Sequence, residues 1–392
     1  MSETLETVAV KYEVLRKKLA KLLEEHRVQD KLEKGWFRLS GDEPCLDVAG
    51  RPPIVLSAVD GGNNKRSFLS FDLYVIKASA QGFTLGINGS LRKAFSKKIV
   101  DVDVIIPTEG SGDRLTLYRQ VAETKMLYYS LARSSLVLGD GSVESLVTRP
   151  IHAKLDLLDM EGGGEIHVDC EELEKMVLRD IDENPYQAMS VKSIVEEVSM
   201  DKSLGQDKAW RRILYLEILE KAVVLKLLFD KILNSSSLMV FLTKTGRSRR
   251  FFNAPVSDQY VLSVTTREAG YYLNSDVSFN KPREMIKELP KKCGLRELVE
   301  RLTFVRGLVR LENNAPVIGM EVIYNADRIP YSQREVFTGV LGILRLISPG
   351  GYPQPLYIVD RETHIDNKEV EEVVLALGLS MAPTGREVLE YE

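Results

Sequence analysis

Two aspartates stand where apolar runs give way to glycine. Ile54-Val55-Leu56-Ser57-Ala58-Val59-Asp60 reads as a buried strand closed by a carboxylate, with Gly61-Gly62-Asn63-Asn64 as a turn back into the alternating run Phe68 to Ile76. A desolvated carboxylate is costly unless a cation or hydrogen bonds satisfy it, and a metal ion is the sharpest such partner. The pattern recurs at Ser135-Leu136-Val137-Leu138-Gly139-Asp140-Gly141-Ser142. Two such strand ends bring two carboxylates to one edge of a sheet. Glu123 offers a third, because its segment has helical spacing and leads directly into the second strand. Several carboxylates converging from different elements suit a hard divalent ion, magnesium or manganese, in phosphoryl-transfer chemistry. Plain turn formation by Asp-Gly, and a solvated mid-helix glutamate, are the competing explanations.

A second constellation is Phe241-Leu242-Thr243-Lys244-Thr245-Gly246-Arg247-Ser248-Arg249-Arg250-Phe251-Phe252. Lys244 ends a strand, and Arg247, Arg249 and Arg250 follow with hydroxyls between them. Backbone phosphates need such cations and hydroxyl donors, and the two phenylalanines either stack on bases or return to the core.

The elements that must hold these groups follow from periodicity. Residues 4 to 34 read as one helix with a stripe of Val8, Tyr12, Leu15, Leu19, Leu22 and Leu23, separated by a Gly-, Asp- and Pro-rich linker near 39 to 53 from the first strand. Strands are expected at Ile54 to Asp60, Phe68 to Ala78, Phe83 to Ile87 and Val100 to Ile106, then a helix over Arg114 to Arg133 and the strand ending at Asp140. The stretch from 150 to 234 turns helical. Strands return at Leu238 to Thr243, Tyr260 to Thr265, Phe304 to Leu311 and Val317 to Tyr324, with helices near Tyr331 to Leu346 and Lys368 to Leu377. This order predicts an α/β fold, a mixed sheet flanked by helices. Residues 1–38 form an N-terminal helix for dimer or partner contact, and 50–392 a main domain with a helical insertion at about 150–234.

Composition narrows the chemistry. The net charge of -4 over 392 residues argues against bulk electrostatic coating of nucleic acid, though not against local phosphate contacts. His26, His152, His167 and His364 are never paired at helical spacing, so any metal centre is mainly carboxylate. Cys45, Cys170 and Cys293 are odd in number and lack C-x-x-C spacing, which predicts reduced structural thiols. No apolar run is long enough for a membrane span and the N-terminus carries no signal-like apolar centre, so a cytoplasmic location is expected. Gly162-Gly163-Gly164 and Glu109-Gly110-Ser111-Gly112 lack the flanking elements or the Gly-Lys-Ser/Thr ending of nucleotide-binding loops, so ATP binding is not indicated.

Taken in order, these segments resemble the NurA nuclease family. The matching stretches are Ser57 to Gly61, Glu123, Val137 to Ser142, Thr243 to Ser248, Val309-Arg310-Leu311 with Pro316-Val317 and Glu321, and Gly351-Tyr352-Pro353-Gln354-Pro355-Leu356-Tyr357-Ile358-Val359-Asp360, together spanning roughly 50 to 380. Gly62 stands where the family's Asp-Gly-Ser motif has serine. Asp360 stands where the closing segment commonly has histidine, with His364 four residues on as the alternative fourth ligand.

The resemblance implies an RNase H-like domain with an acidic centre holding two manganese or magnesium ions on Asp60, Glu123, Asp140 and Asp360. Lys244 would neutralise the scissile phosphate while Arg247, Arg249 and Arg250 track the strand. It further implies a 5′ to 3′ exonuclease and single-strand endonuclease acting on DNA, a homodimer, and a hexameric HerA-type translocase as partner in end resection for double-strand break repair. The rival readings are a catalytically inert DNA-binding clamp on the same scaffold, which loss of the carboxylates would mark, and a metal-dependent ribonuclease.

Overall fold

The computed structural model describes residues 28–39, 54–147 apart from 87, 169–273 apart from 202 and 204, and 293–379, with helical positions 12, 14, 17, 18 and 21 near the N-terminus. Most of the N-terminal stripe, Cys45, the triple glycine at 162–164 and residues 274–292 lie outside the described set.

Nine strands form one mixed sheet: β1 (Trp36–Arg38), β2 (Ile54–Ser67), β3 (Asp72–Leu85), β4 (Leu91–Ile105), β5 (Leu136–Asp140), β6 (Leu238–Thr243), β7 (Gly270–Tyr272), β8 (Thr303–Arg310) and β9 (Ile318–Tyr324), in the order β1-β7-β8-β9-β6-β5-β2-β3-β4. β2, β3 and β4 are an antiparallel meander, and β5 and then β6 add to β2 in parallel. The helices are α1 (Val28–Gly35), α2 (Ser111–Leu131), α3 (Val143–Val147), α4 (Cys170–Glu183), α5 (Lys192–Met200), α6 (Gln206–Leu233), α7 (Asp258–Thr265), α8 (Leu295–Arg301), α9 (Gln333–Leu346), α10 (Gln354–Thr363) and α11 (Asn367–Ala376).

The first strand does not stop at Asp60. It continues through Gly61, Gly62, Asn63 and Asn64 in unbroken register with β3, from Ile54 opposite Leu85 to Ser67 opposite Asp72. The partner strand carries the apolar side chains that the second half of β2 lacks, so pairing overrides the Gly-Asn turn signal. The reversal comes at Phe68, whose N–H donates to Phe71 O at 2.9 Å and whose ring stacks on Phe71 at 4.7 Å. Phe83 to Leu85 and Val100 to Ile105 likewise belong to longer strands, β3 and β4, while Ile87 lies outside the described residues.

Side-chain alternation divides two cores. On one face Val59, Val137, Met239 and Phe241 pack beneath α2 and α6, both lined with buried residues. On the other, Leu56, Ala58, Leu136, Leu138, Leu238, Val240 and Leu242 pack beneath α9 and α10. The crossover from β5 to the parallel β6 runs through α6 (Gln206–Leu233), so this part of the helical stretch forms a wall of the core.

Two expectations change. Tyr260 to Thr265 is helical, within α7, because Ser257 caps it by accepting from Tyr260 N–H and Val261 and Leu262 are buried against Phe252 and Tyr272. Cys170 and Cys293 are not free thiols: they form a disulfide with Cα atoms 5.7 Å apart, across 123 residues of sequence. Residues so distant give no spacing signature, and folding α8 onto α6 brings them together. Among the described residues, no helix is long and apolar enough to cross a membrane.

Candidate metal centre

Parity builds the site. Asp60 continues the series Leu56, Ala58; Asp140 continues Leu136, Leu138; Lys244 continues Leu238, Val240, Leu242. All three therefore emerge on the α10 face of adjacent parallel strands, and the register that sets Val59 beside Gly139 makes the two aspartates level. Asp360 enters from α10 above them. Carboxylate oxygens of Asp60, Asp140 and Asp360 all lie within 4.8 Å of one another, each residue half-buried.

Glu123 approaches from the opposite face, on α2. Gly61, which points that way, admits it: a Cβ on Gly61 would sit 3.3 Å from Arg119 and 3.4 Å from Glu123. Glu123 does not join the trio, but it lines the same cavity of about 400 Å³ together with Asp60, Asp140, Arg119, Gln120 and Lys244. His364 lies at the C-terminal end of α10, exposed, its N–H donating to Asp360 O at 3.0 Å. It is the carboxylate one turn earlier that faces the two aspartates.

The electrostatics are those of crowded acids. Burial raises the Asp60 carboxyl above its ordinary range, with the Asp140 and Asp360 charges adding to the rise and hydrogen bonds from Thr363 and Gly61 opposing it. Burial pushes Glu123 up to about 8, against the Arg119 charge and with the help of Asp60 and Asp140. Lys244 supplies the local cation: its Nζ lies 3.0 Å from Asp140 Oδ2 and 2.9 Å from Asp360 Oδ1. Burial works to depress its ammonium, but the hydrogen bond to Asp360 and the Asp140 charge more than reverse this.

Several contributors carry no sequence signal of their own. Thr363 Oγ1 donates to Asp60 Oδ2 at 2.8 Å. Tyr352 Oη donates to Asp140 Oδ1 at 3.4 Å, and its ring lies 4.9 Å from Lys244 Nζ. Arg119 bridges Glu123 Oε2 at 3.1 Å and Gly61 O at 3.3 Å. Lys221 on α6, lowered to about 7 by burial, donates to Gln120 Oε1 at 2.6 Å beneath the cavity. Reading 354–363 as a helix would have exposed Thr363, since it lies three positions after Asp360 and four after the buried Val359.

The basic loop borders a second cavity, of about 450 Å³, which shares Ser142, Thr243 and Thr245 with the first. Arg247, Arg249 and Arg250 line it and are exposed, while Arg250 Nη2 pairs with Glu144 at 3.2 Å. Phe251 borders this cavity and Phe252 does not, and neither is open enough to serve as a stacking platform. They are 6% and 0% exposed and pack on Tyr272. Asp258 pins the loop by accepting from Phe252 N–H at 3.1 Å, Phe251 N–H at 3.2 Å and Ser248 Oγ at 3.0 Å. Glu321 on β9 accepts from Val143 N–H at 2.7 Å, tying α3 behind Asp140 to the sheet.

An oxygen-only set of three carboxylates on three separate elements fits a hard divalent cation. The family model of the NurA domain matches residues 55–365, most of the chain and all of the site. The chain belongs to the NurA domain family. It is 22% identical over 356 residues, 90% of this chain and 87% of the relative, to the DNA double-strand break repair nuclease NurA of Sulfurisphaera tokodaii. To the protein of the same name from Sulfolobus acidocaldarius it is 23% identical over 320 residues, covering 81% and 79%. The crystal structure of the NurA nuclease from Sulfolobus solfataricus superposes with a TM-score of 0.65 at 16% identity, over 97% of this chain and 98% of that one. A crystal structure of NurA bound to dAMP and manganese superposes at 0.70 with 14% identity, over 98% of each. The NurA fold thus spans all the elements that carry the centre, from β2 to α10.

Proposed function

We propose that this NurA domain protein is a manganese- or magnesium-dependent deoxyribonuclease acting in double-strand break repair. The observation that carries the reading is the trio Asp60, Asp140 and Asp360 within 4.8 Å, with Glu123 lining one cavity with Asp60 and Asp140. An inert clamp has no use for four crowded acids with only Lys244 and Arg119 paired to them, which speaks against that rival. The antiparallel meander extended by two parallel strands supports the RNase H-like description.

Asp60, Asp140 and Asp360 would hold the metal, with Glu123 beside them as the group that completes a second ion's set. When bound, the metal supplies Lewis acidity toward the phosphate and lowers the pKa of an attacking water. The remaining chemistry belongs to side chains. Lys244, on a long stem and 40% exposed in its side chain, swings from its carboxylates to the scissile phosphate. Arg247 and Arg249 hold the flanking phosphates of one strand in the adjoining cavity, and Arg119 lies opposite them on the α2 side. The two cavities joined through Thr243 and Thr245 suit a single strand threaded past the acids, in keeping with 5′ to 3′ trimming and single-strand cutting.

Assembly follows from the same reading. A HerA-type motor is the partner that it calls for, since the sequence shows no phosphate-binding loop motif to drive movement along duplex DNA, and a homodimer is the assembly that the family resemblance implies.

The test is cleavage of DNA oligonucleotides labelled at either end, single-stranded and duplex, with manganese, magnesium or chelator, alongside matched RNA. Metal-dependent shortening from the 5′ end of DNA is the expected result. Equal or faster cutting of RNA would reassign the substrate, and no metal-dependent cleavage of either would sink the nuclease reading.

A further inference from the structure

Gly62 and Thr363 meet across the site. A Cβ on Gly62 would overlap the backbone carbonyl of Thr363, so the end of α10 is seated directly on β2 where the strand has no side chain. The same threonine sends its hydroxyl to Asp60 Oδ2 at 2.8 Å and is 1% exposed. Its hydroxyl also has Val359 O at 3.0 Å, but a hydroxyl has one proton, and the carboxylate is the stronger acceptor. Asp360 lies three residues earlier on the same helix, so whatever sets Thr363 on the strand also sets Asp360 above Asp60.

We infer that Thr363 is a positioning residue for the metal centre: its hydroxyl orients the Asp60 carboxylate, and its carbonyl, seated on Gly62, fixes how closely Asp360 approaches. A serine at 62 has no room, and the hydroxyl that acts on Asp60 comes from the helix instead. The role rests on the metal-centre reading above and adds to it the device that joins β2 to α10. It also accounts for the departure at Gly62, since the small residue and the buried threonine form one joint.

The test is manganese binding by calorimetry on the full chain, beside DNA cleavage and a melting curve in chelator. Thr363→Val keeps the shape and removes the hydroxyl, and it should weaken manganese binding about tenfold, the effect of one charge-assisted hydrogen bond. Thr363→Ser restores the donor and should bind within about twofold of wild type. Gly62→Ala drives the carbonyl away and should weaken binding at least as much as Thr363→Val. Thr363→Val with wild-type manganese affinity, or a serine variant as weak as the valine one, would overturn the inference. A purely structural threonine would lower the melting temperature and leave manganese affinity alone, which also overturns it. Wild-type protein that binds manganese but cuts no DNA would remove the nuclease reading and leave the joint standing; no manganese binding by wild type would remove both.

Discussion

The ammonium of Lys244 lies 2.9 Å from the Asp360 carboxylate although 116 residues separate them, and it reaches Asp140 at 3.0 Å as well. One positive charge thus holds together two of the three acids. A divalent ion on those acids takes over that task and frees the lysine for the phosphate. Lys244→Ala is therefore expected to bind manganese at least as tightly as wild type and to cleave DNA on the order of a hundredfold more slowly at saturating metal. Manganese binding followed by electron paramagnetic resonance, with single-turnover cleavage, separates the two effects. Loss of metal binding in this variant would assign the lysine to scaffolding.

Removing one acid should do the reverse. Asp60→Asn or Asp140→Asn keeps the volume and deletes a charge from a cluster in which burial, aided by the Asp140 and Asp360 charges, raises the Asp60 carboxyl. The expected outcome is loss of metal-dependent cleavage with an unchanged circular dichroism spectrum, and a melting temperature in chelator no lower than that of wild type. Cleavage at the wild-type rate in either variant would contradict the centre.

The reason those two aspartates were legible in the sequence is local: each continues an every-second-residue apolar series, and parity survives whatever the loops do. The strand ending at Asp140 stands as read, whereas the one through Asp60 runs on because the turn-like Gly61 to Asn64 is held extended by a partner strand, an effect no local signal carries. Lys244 was legible because it ends an apolar strand and opens a loop of cations. Asp360 was reached through the resemblance, since a half-buried aspartate on a helix has no periodic signature. For Phe251 and Phe252 base stacking and return to the core were equally open, and their burial depends on Tyr272 and Asp258, which come later in the chain. The disulfide was invisible because its two halves share only three-dimensional proximity.

The arginines of the basic loop are not equivalent. Arg250 is already paired with Glu144, whereas Arg247 and Arg249 are exposed and border the cavity. Each of Arg247→Ala and Arg249→Ala should lower single-strand affinity and reduce the slope of log K against log salt by about 0.7, the contribution of one phosphate contact. Arg250→Ala should change the slope less. Fluorescence anisotropy across a salt series decides it, and an unchanged slope in all three would place the strand elsewhere.

The Cys170–Cys293 bond closes a long loop, 123 residues apart, between α4 and the entry to α8. Cross-links over loops of that size contribute up to roughly 5 kcal/mol by restricting the unfolded chain, although native-state effects reduce this. Reduction, or the double replacement Cys170→Ser with Cys293→Ser, should lower the melting temperature by on the order of 5 °C. Differential scanning calorimetry with and without reductant is the measurement. Identical curves would mean that the bond contributes nothing to stability.

Glu123 makes the metal-free protein sensitive to pH in a definite direction. Burial, aided by the Asp60 and Asp140 charges, raises its folded pKa to about 8 from an ordinary 4.5. Between those values the folded chain keeps a proton that the unfolded chain has released, so stability is greatest below the lower value and falls as pH rises toward the upper one. A metal at the site must displace the same proton, so its apparent affinity should climb over that interval. Melting temperatures in chelator from about pH 5 to about pH 9 should therefore decline more steeply for wild type than for Glu123→Gln, which cannot ionise. Parallel curves for the two proteins would show that Glu123 titrates normally and that the acids of this centre are better solvated than their burial indicates.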